Sequence, residues 1–174
     1  MLALLLTFVM HLVLGVPYVP TPSRAVEEMI GMVPWRGKET VLDLGAGDAR
    51  ILIAAKKRYP RIRAIGCEIV PTVWLLGMLR CFIARANVSL HLCSVFDEDL
   101  HEADVIFLYL MPGLLKRLLP KFQRELRPGT LIVCRTFALP GIRPIRVQKV
   151  RGFGGETNLF LYRWTKKSRA TSAA

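Results

Sequence analysis

Val41-Leu42-Asp43-Leu44-Gly45-Ala46-Gly47-Asp48-Ala49 reads as a buried strand that ends in a glycine bend and opens into a helix. In that helix Ile51, Leu52, Ala54 and Ala55 are apolar. Lys56, Lys57 and Arg58 close it, where the helix dipole favours cations. Glycines at a strand tip let backbone approach a ligand closely, and the first turn of the next helix offers free N–H groups. A glycine bend alone is weak evidence, and two neighbours sharpen it. A dinucleotide fingerprint requires a third glycine three residues after the second, and that position here is Arg50. Asp43 stands before the glycines, where its charge would repel a pyrophosphate. It suits a ligand with an ammonium and a sulfonium.

Outward from this stretch, strand and helix alternate. Residues 62–68, 88–93, 104–110 and 130–137 read as further strands, the third an apolar run of the kind buried in parallel sheets. Residues 71–86 form a helix apolar almost all round, charged only at Arg80 and Arg85. Such a helix is deeply covered or touches something apolar outside the domain. Leu114, Leu118, Phe122 and Leu126 mark another helix, with a kink expected at Pro120. Residues 145–150 and 158–164 add two late strands. Upstream, Thr21 can cap a helix with Pro22 at its first position, and Val26, Met29, Ile30 and Val33 are its apolar face. The expected fold is α/β: a single Rossmann-like, doubly wound, mostly parallel sheet of about seven strands, with an apolar N-terminal helix.

Two more carboxylates fit a nucleoside ligand. Glu68, at the end of the second strand, can accept both ribose hydroxyls, as acids do in dinucleotide sites. The plain alternative is a surface glutamate at the start of the next helix. Asp97 follows the third strand at the same sheet edge, where it can accept from an adenine amino group while Phe96 flanks the ring. Otherwise it is a loop acid beside Glu98 and Asp99. The ligand that joins a nucleoside to an ammonium and a sulfonium is S-adenosylmethionine (SAM).

The set 41–47, Glu68, Asp97 and Leu126-Arg127-Pro128-Gly129 resembles the class I, seven-stranded SAM-dependent methyltransferases. Val16-Pro17-Tyr18-Val19-Pro20-Thr21-Pro22, with Val26-Glu27 and the Asp43-to-Arg50 motif, is similar to a protein-lysine methyltransferase family of archaeal and mitochondrial type. The resemblance covers residues 16–164. It implies a cofactor site of Tyr18, Thr21, Asp43, Gly45, Ala46, Gly47, Glu68, Ile69, Phe96 and Asp97, with Tyr109 where such enzymes meet the acceptor. Where that family has a third glycine this chain has Ala49, which puts the shape of the turn in question. No Asn-Pro-Pro-Tyr motif is present, which argues against exocyclic-amine DNA or glutamine methylation. Methyl transfer from a sulfonium needs alignment more than acid–base machinery, and no Ser-His-Asp or metal-ligand spacing is found.

Composition bounds the rest. The chain has 174 residues, enough for one α/β domain, and 52% are hydrophobic. Residues 1–16 are an almost uncharged run, broken only by Thr7 and His11. Three readings fit it: a helix packed on the domain or dipping into a bilayer surface, a short membrane anchor, or a cleaved signal. No Lys or Arg precedes Arg24, which counts against the signal. The resemblance implies a methyltransferase domain over residues 17–164, and 165–174 is a small polar tail expected to be disordered. Cys67, Cys81, Cys93 and Cys134 fall in apolar runs without metal spacing and read as buried hydrophobes. They imply a reducing, cytoplasmic setting, with attachment to the cytoplasmic face of a membrane if 1–16 is an anchor. The net charge of +12 draws the surface to phosphates, anionic lipid or acidic proteins. A basic enzyme does not attract a cationic lysine at long range, so RNA methylation is the rival reading. A non-catalytic SAM-binding or membrane-attached module is the third. Aromatic residues are not interleaved with the basic ones, which weakens RNA binding.

Overall fold

The computed structural model describes residues 19–152 and 155–165. Along them run α1 (Ser23–Gly31), β1 (Thr40–Leu44), α2 (Arg50–Arg58), β2 (Arg63–Glu68), α3 (Pro71–Ile83), β3 (Val88–Leu92), β4 (Val105–Leu108), α4 (Pro112–Glu125), β5 (Leu131–Arg135), β6 (Arg146–Gly152) and β7 (Gly155–Arg163). The strands form one sheet in the order β3-β2-β1-β4-β5-β7-β6. β1 to β5 pair in parallel, and β7 runs antiparallel between β5 and β6. The β-rich end of the sequence thus closes one edge, as the late strand pair required.

Strand periodicity sorts the core onto two faces. Val41, Ala64, Val105, Phe107 and Val133 pack with Met29 and Ile30 of α1 and Leu52 of α2. Their neighbours Leu42, Leu44, Ile65, Ile106, Leu108 and Ile132 pack on the other face, with Leu115, Leu118 and Phe122 of α4. Asp43 lies near the C-terminal tip of β1, buried between Gly66 of β2 and Phe107 of β4.

Several local expectations shift. Pro22, not Thr21, occupies the cap position of α1, and no side chain caps that helix. Thr21 is buried instead, with its hydroxyl accepting from the Arg135 guanidinium at 3.5 Å. α4 is assigned as one helix through Pro120. Pro120 and Lys116, the residue whose carbonyl loses its partner, are both exposed, so water can serve that carbonyl. α3 ends at Ile83 instead of Ala86, and its outer half is uncovered. Residues 1–16, Tyr18 and residues 166–174 lie outside the described residues, so the readings of the N-terminal run and the tail do too. Among the described residues no helix is long and apolar enough to cross a membrane.

Candidate active site

The glycine bend is pinned from below by β2. Gly45 and Ala46 both donate their N–H to the Cys67 carbonyl at 2.9 Å. Gly45 holds φ +82°, a conformation that favours glycine, and a Cβ there would also press on the end of the Leu110 side chain at 2.9 Å. Glu68 then braces the turn with its side chain. Its Oε2 accepts from the Gly47 N–H and its Oε1 from the Val70 N–H, each at 2.9 Å. Each oxygen keeps a further lone pair for a ligand hydroxyl.

Ala49, where a glycine was expected, adopts the left-handed conformation a glycine would take, at φ 61° and ψ 14°. The turn therefore keeps its shape at the cost of a strained alanine. Next to it the buried Asp48 is held by two arginines. Arg50 reaches it with Nε at 2.8 Å and Nη2 at 2.6 Å, and Arg80 of α3 with Nη1 at 2.8 Å. Arg50 also donates to the Thr21 carbonyl at 2.7 Å, which ties the segment before α1 to the bend. The cation that spoiled the dinucleotide pattern is thus a structural clamp.

Above the bend lies a cavity of about 520 Å³, within the range of small-ligand sites. It opens at the C-terminal ends of β1, β2, β4 and β5, where parallel sheets bind their ligands. Thr21, Asp43, Gly45, Ala46, Gly47, Glu68 and Tyr109 all line it. Ile69 and Asp97 are exposed and stand off its wall. Phe96 is half-buried and packs against Arg117, whose guanidinium lies 4.9 Å from the ring centre and which does line the cavity. Phe96 is therefore joined to the site through Arg117.

Sequence reasoning missed two features here, one behind the wall and one on it. Arg135 is buried, with its guanidinium 4.2 Å from the centre of the Tyr109 ring and its Nε without a hydrogen-bond partner. Burial lowers its pKa from the ordinary guanidinium value. Thr136, on the cavity wall, takes φ +69°, a strained choice for a β-branched residue. Sequence spacing also hid the approach of Cys67, Cys93 and Glu98, whose ligand atoms lie within 4.8 Å of one another because β2 and β3 pair side by side. Burial pushes the Cys67 thiol well up, which keeps it protonated.

Asp43 supplies the test of ligand chemistry. Its Oδ2 is buried without a partner, and burial, with the nearby Glu68 and Asp48 carboxylates, raises its pKa well above the usual range. An acceptor so placed on a cavity wall calls for a cationic donor from the ligand. The ammonium of SAM provides one, and the free lone pairs of Glu68 suit ribose hydroxyls. The residues present fit the cofactor.

Comparison with known proteins points the same way. The model of the ANTKMT methyltransferase domain family matches residues 43–146. A protein-lysine N-methyltransferase of Saccharolobus islandicus is 33% identical over 84% of this chain and 92% of its own. The adenine nucleotide translocase lysine N-methyltransferase of mouse is 35% identical over 77% of this chain, which spans only 58% of that longer protein. Among solved structures, an RNA methyltransferase from Salinibacter ruber, in complex with S-adenosyl-L-homocysteine, is 29% identical with a TM-score of 0.76. That match covers 83% of this chain and 93% of the other.

Proposed function

Because this chain belongs to the ANTKMT methyltransferase domain family and is a SAM-dependent methyltransferase, we propose that it methylates the side-chain amine of lysine in a protein. The observation that carries this reading is the similarity to the archaeal lysine N-methyltransferase along nearly its whole length. When bound, SAM supplies an activated methyl group on a sulfonium. What remains for the protein is to bind, to align and to present an uncharged amine.

Asp43 takes the ammonium end of the cofactor, with Thr21 beside the methionine portion. The turn at Gly45, Ala46 and Gly47 allows close approach, and Glu68 holds the ribose. Phe96 and Asp97, with Ile69, are assigned to the adenine end. Their position beyond the wall means that Arg117 and Phe96 would have to close over the ring. Tyr109 faces the acceptor side, with the Arg135 guanidinium behind its ring. A buried cation there disfavours the protonated form of an entering lysine's Nζ, which favours the nucleophilic amine. The exclusion of water by the apolar wall acts in the same direction. Four free thiols suit a reducing, cytoplasmic setting.

RNA is the competing acceptor, favoured by the charge of +12 and by the Salinibacter neighbour. Incubating the full chain with methyl-labelled SAM and a lysate of the source cells separates the two. Label removed by protease, and recovered as methyllysine after hydrolysis, is the expected result. Label removed by ribonuclease would transfer the assignment to RNA.

A further inference from the structure

α3 buries only one side. Val73, Gly77 and Cys81 face the sheet and α2. Opposite them, Leu75 is 62%, Leu79 53%, Phe82 81% and Ile83 71% exposed. Leu76 and Met78 are exposed as well, so the uncovered apolar arc spans about 160° of the helix at 100° per residue. No acid occurs in the helix, and its one charge, Arg80, flanks this arc on the side of Leu76 and Ile83. On that flank lies a shallow hollow lined by Arg50, Lys57, Arg58 and Arg80, with Ile83 on its rim. Glu27 is the only acid among its lining residues, 4.0 Å from Arg58, and Asp48 lies beneath Arg80. A continuous surface therefore joins an apolar face to a basic recess.

We propose that α3 lies flat on an anionic bilayer, with Leu75, Leu79 and Phe82 among the acyl chains and the Lys57–Arg58–Arg80 hollow against lipid phosphates. The apolar arc and the flanking cations are the two halves of an interfacial helix. At 13 residues the helix is about 20 Å long, enough to lie along a membrane and too short to cross one. Charge selects this occupant. A second copy of the chain would bring its own basic hollow against the first in a two-fold contact, and like charges would meet. Residues 1–16, nearly uncharged, would cover leucines and leave the cations unmatched. Only an apolar layer with an anionic rim answers both halves. Val70, the residue before α3, lines the cofactor cavity, so docking sets that side of the cavity along the bilayer. The inference does not depend on which acceptor is methylated.

Co-sedimentation of the full chain with phosphatidylcholine vesicles, with and without phosphatidylglycerol, tests it. Binding should rise with the anionic lipid and fall with salt. Leu79→Glu with Phe82→Glu should weaken it about tenfold or more, since a charge among acyl chains is costly. Lys57→Glu with Arg58→Glu should weaken binding to anionic vesicles about tenfold or more and change binding to neutral ones little. SAM affinity, measured alongside, should be unchanged in both pairs. Phe82→Trp should add fluorescence quenching by bromine-labelled lipid beyond that of the native tryptophans. No added quenching would overturn the proposal. So would wild-type binding in the Leu79→Glu, Phe82→Glu chain, which would assign the membrane contact to residues 1–16. A dimer abolished by those same substitutions would assign the face to a second copy.

Discussion

The carboxyl of Asp43 sits in the interior with one oxygen unmatched, and its pKa is raised first by burial and then by Glu68 and Asp48. The folded protein therefore holds a proton at pH values where the unfolded chain has lost it. Stability falls as pH climbs from the ordinary carboxylate range through the raised value. Asp43→Asn should remove that slope and raise stability at neutral pH by about 1–3 kcal/mol, while weakening SAM binding on the order of a hundredfold. Thermal melts across pH and calorimetry with SAM read the two effects. A variant that melts lower at neutral pH, or binds SAM as well as the parent, contradicts the assignment. Ala49 makes a second residue-scale case. In its left-handed conformation Gly is accommodated, so Ala49→Gly should stay within about 1 kcal/mol of the parent, whereas Ala49→Val should lose roughly 2 kcal/mol or more. Denaturant melts decide it, and equal stability of the two variants would deny the strain. The acid and the glycines of this turn were legible because their chemistry is local. The strain at Ala49 was not, because alanine rarely adopts that conformation. Arg135 left no local mark either: its contact with Thr21 spans 114 residues and exists only once β5 closes on the segment before α1.

At the scale of elements, the fit of α3 to the cofactor turn rests on Gly77. A Cβ there would lie 2.7 Å from Leu90 Cδ2 and 3.0 Å from the Gly47 carbonyl oxygen, backbone that cannot swing aside. Gly77→Ala should therefore push the helix off the bend, costing about 1–3 kcal/mol despite alanine's better helix propensity, and should weaken SAM binding too. Gly31→Ala, at the end of α1 with nothing within 4 Å of the added methyl, is the control and should leave both nearly unchanged. If the two variants melt alike, close packing at Gly77 is not what seats the helix. Sequence periodicity revealed α3 as apolar all round but left open whether it was covered. That answer depends on where β3 ends the sheet, since among the described residues no strand lies beyond this edge. Nothing in the sequence singled out Gly77. Its contact is with a turn about thirty residues upstream that meets it only through the β1–β2 crossover. The strand sequence, by contrast, was readable nearly throughout, because buried parallel strands are continuous apolar runs and glycine or proline punctuates them.

Over the whole molecule, the sheet order places β1 beside β4, so the chain's direction of winding reverses at the strand that carries Asp43. The cavity opens at that reversal, and its walls come from segments far apart in sequence: Thr21, the bend after β1, Glu68, Tyr109 and Thr136. A ligand that touches all of them adds to the few side-chain ties that already join these segments. SAM or its demethylated product at a hundred times its dissociation constant should stabilise the fold by about 2.7 kcal/mol. For a chain of this size that is a rise of about 5–10 °C in melting temperature. Glu68→Ala should start from a lower midpoint, because the Gly47 and Val70 amides lose their acceptor, and should gain less from the same ligand concentration. The comparison separates two roles of one carboxylate. A lower midpoint with an undiminished ligand shift would make Glu68 a brace for the turn alone, and the ribose would need another partner on the cavity wall.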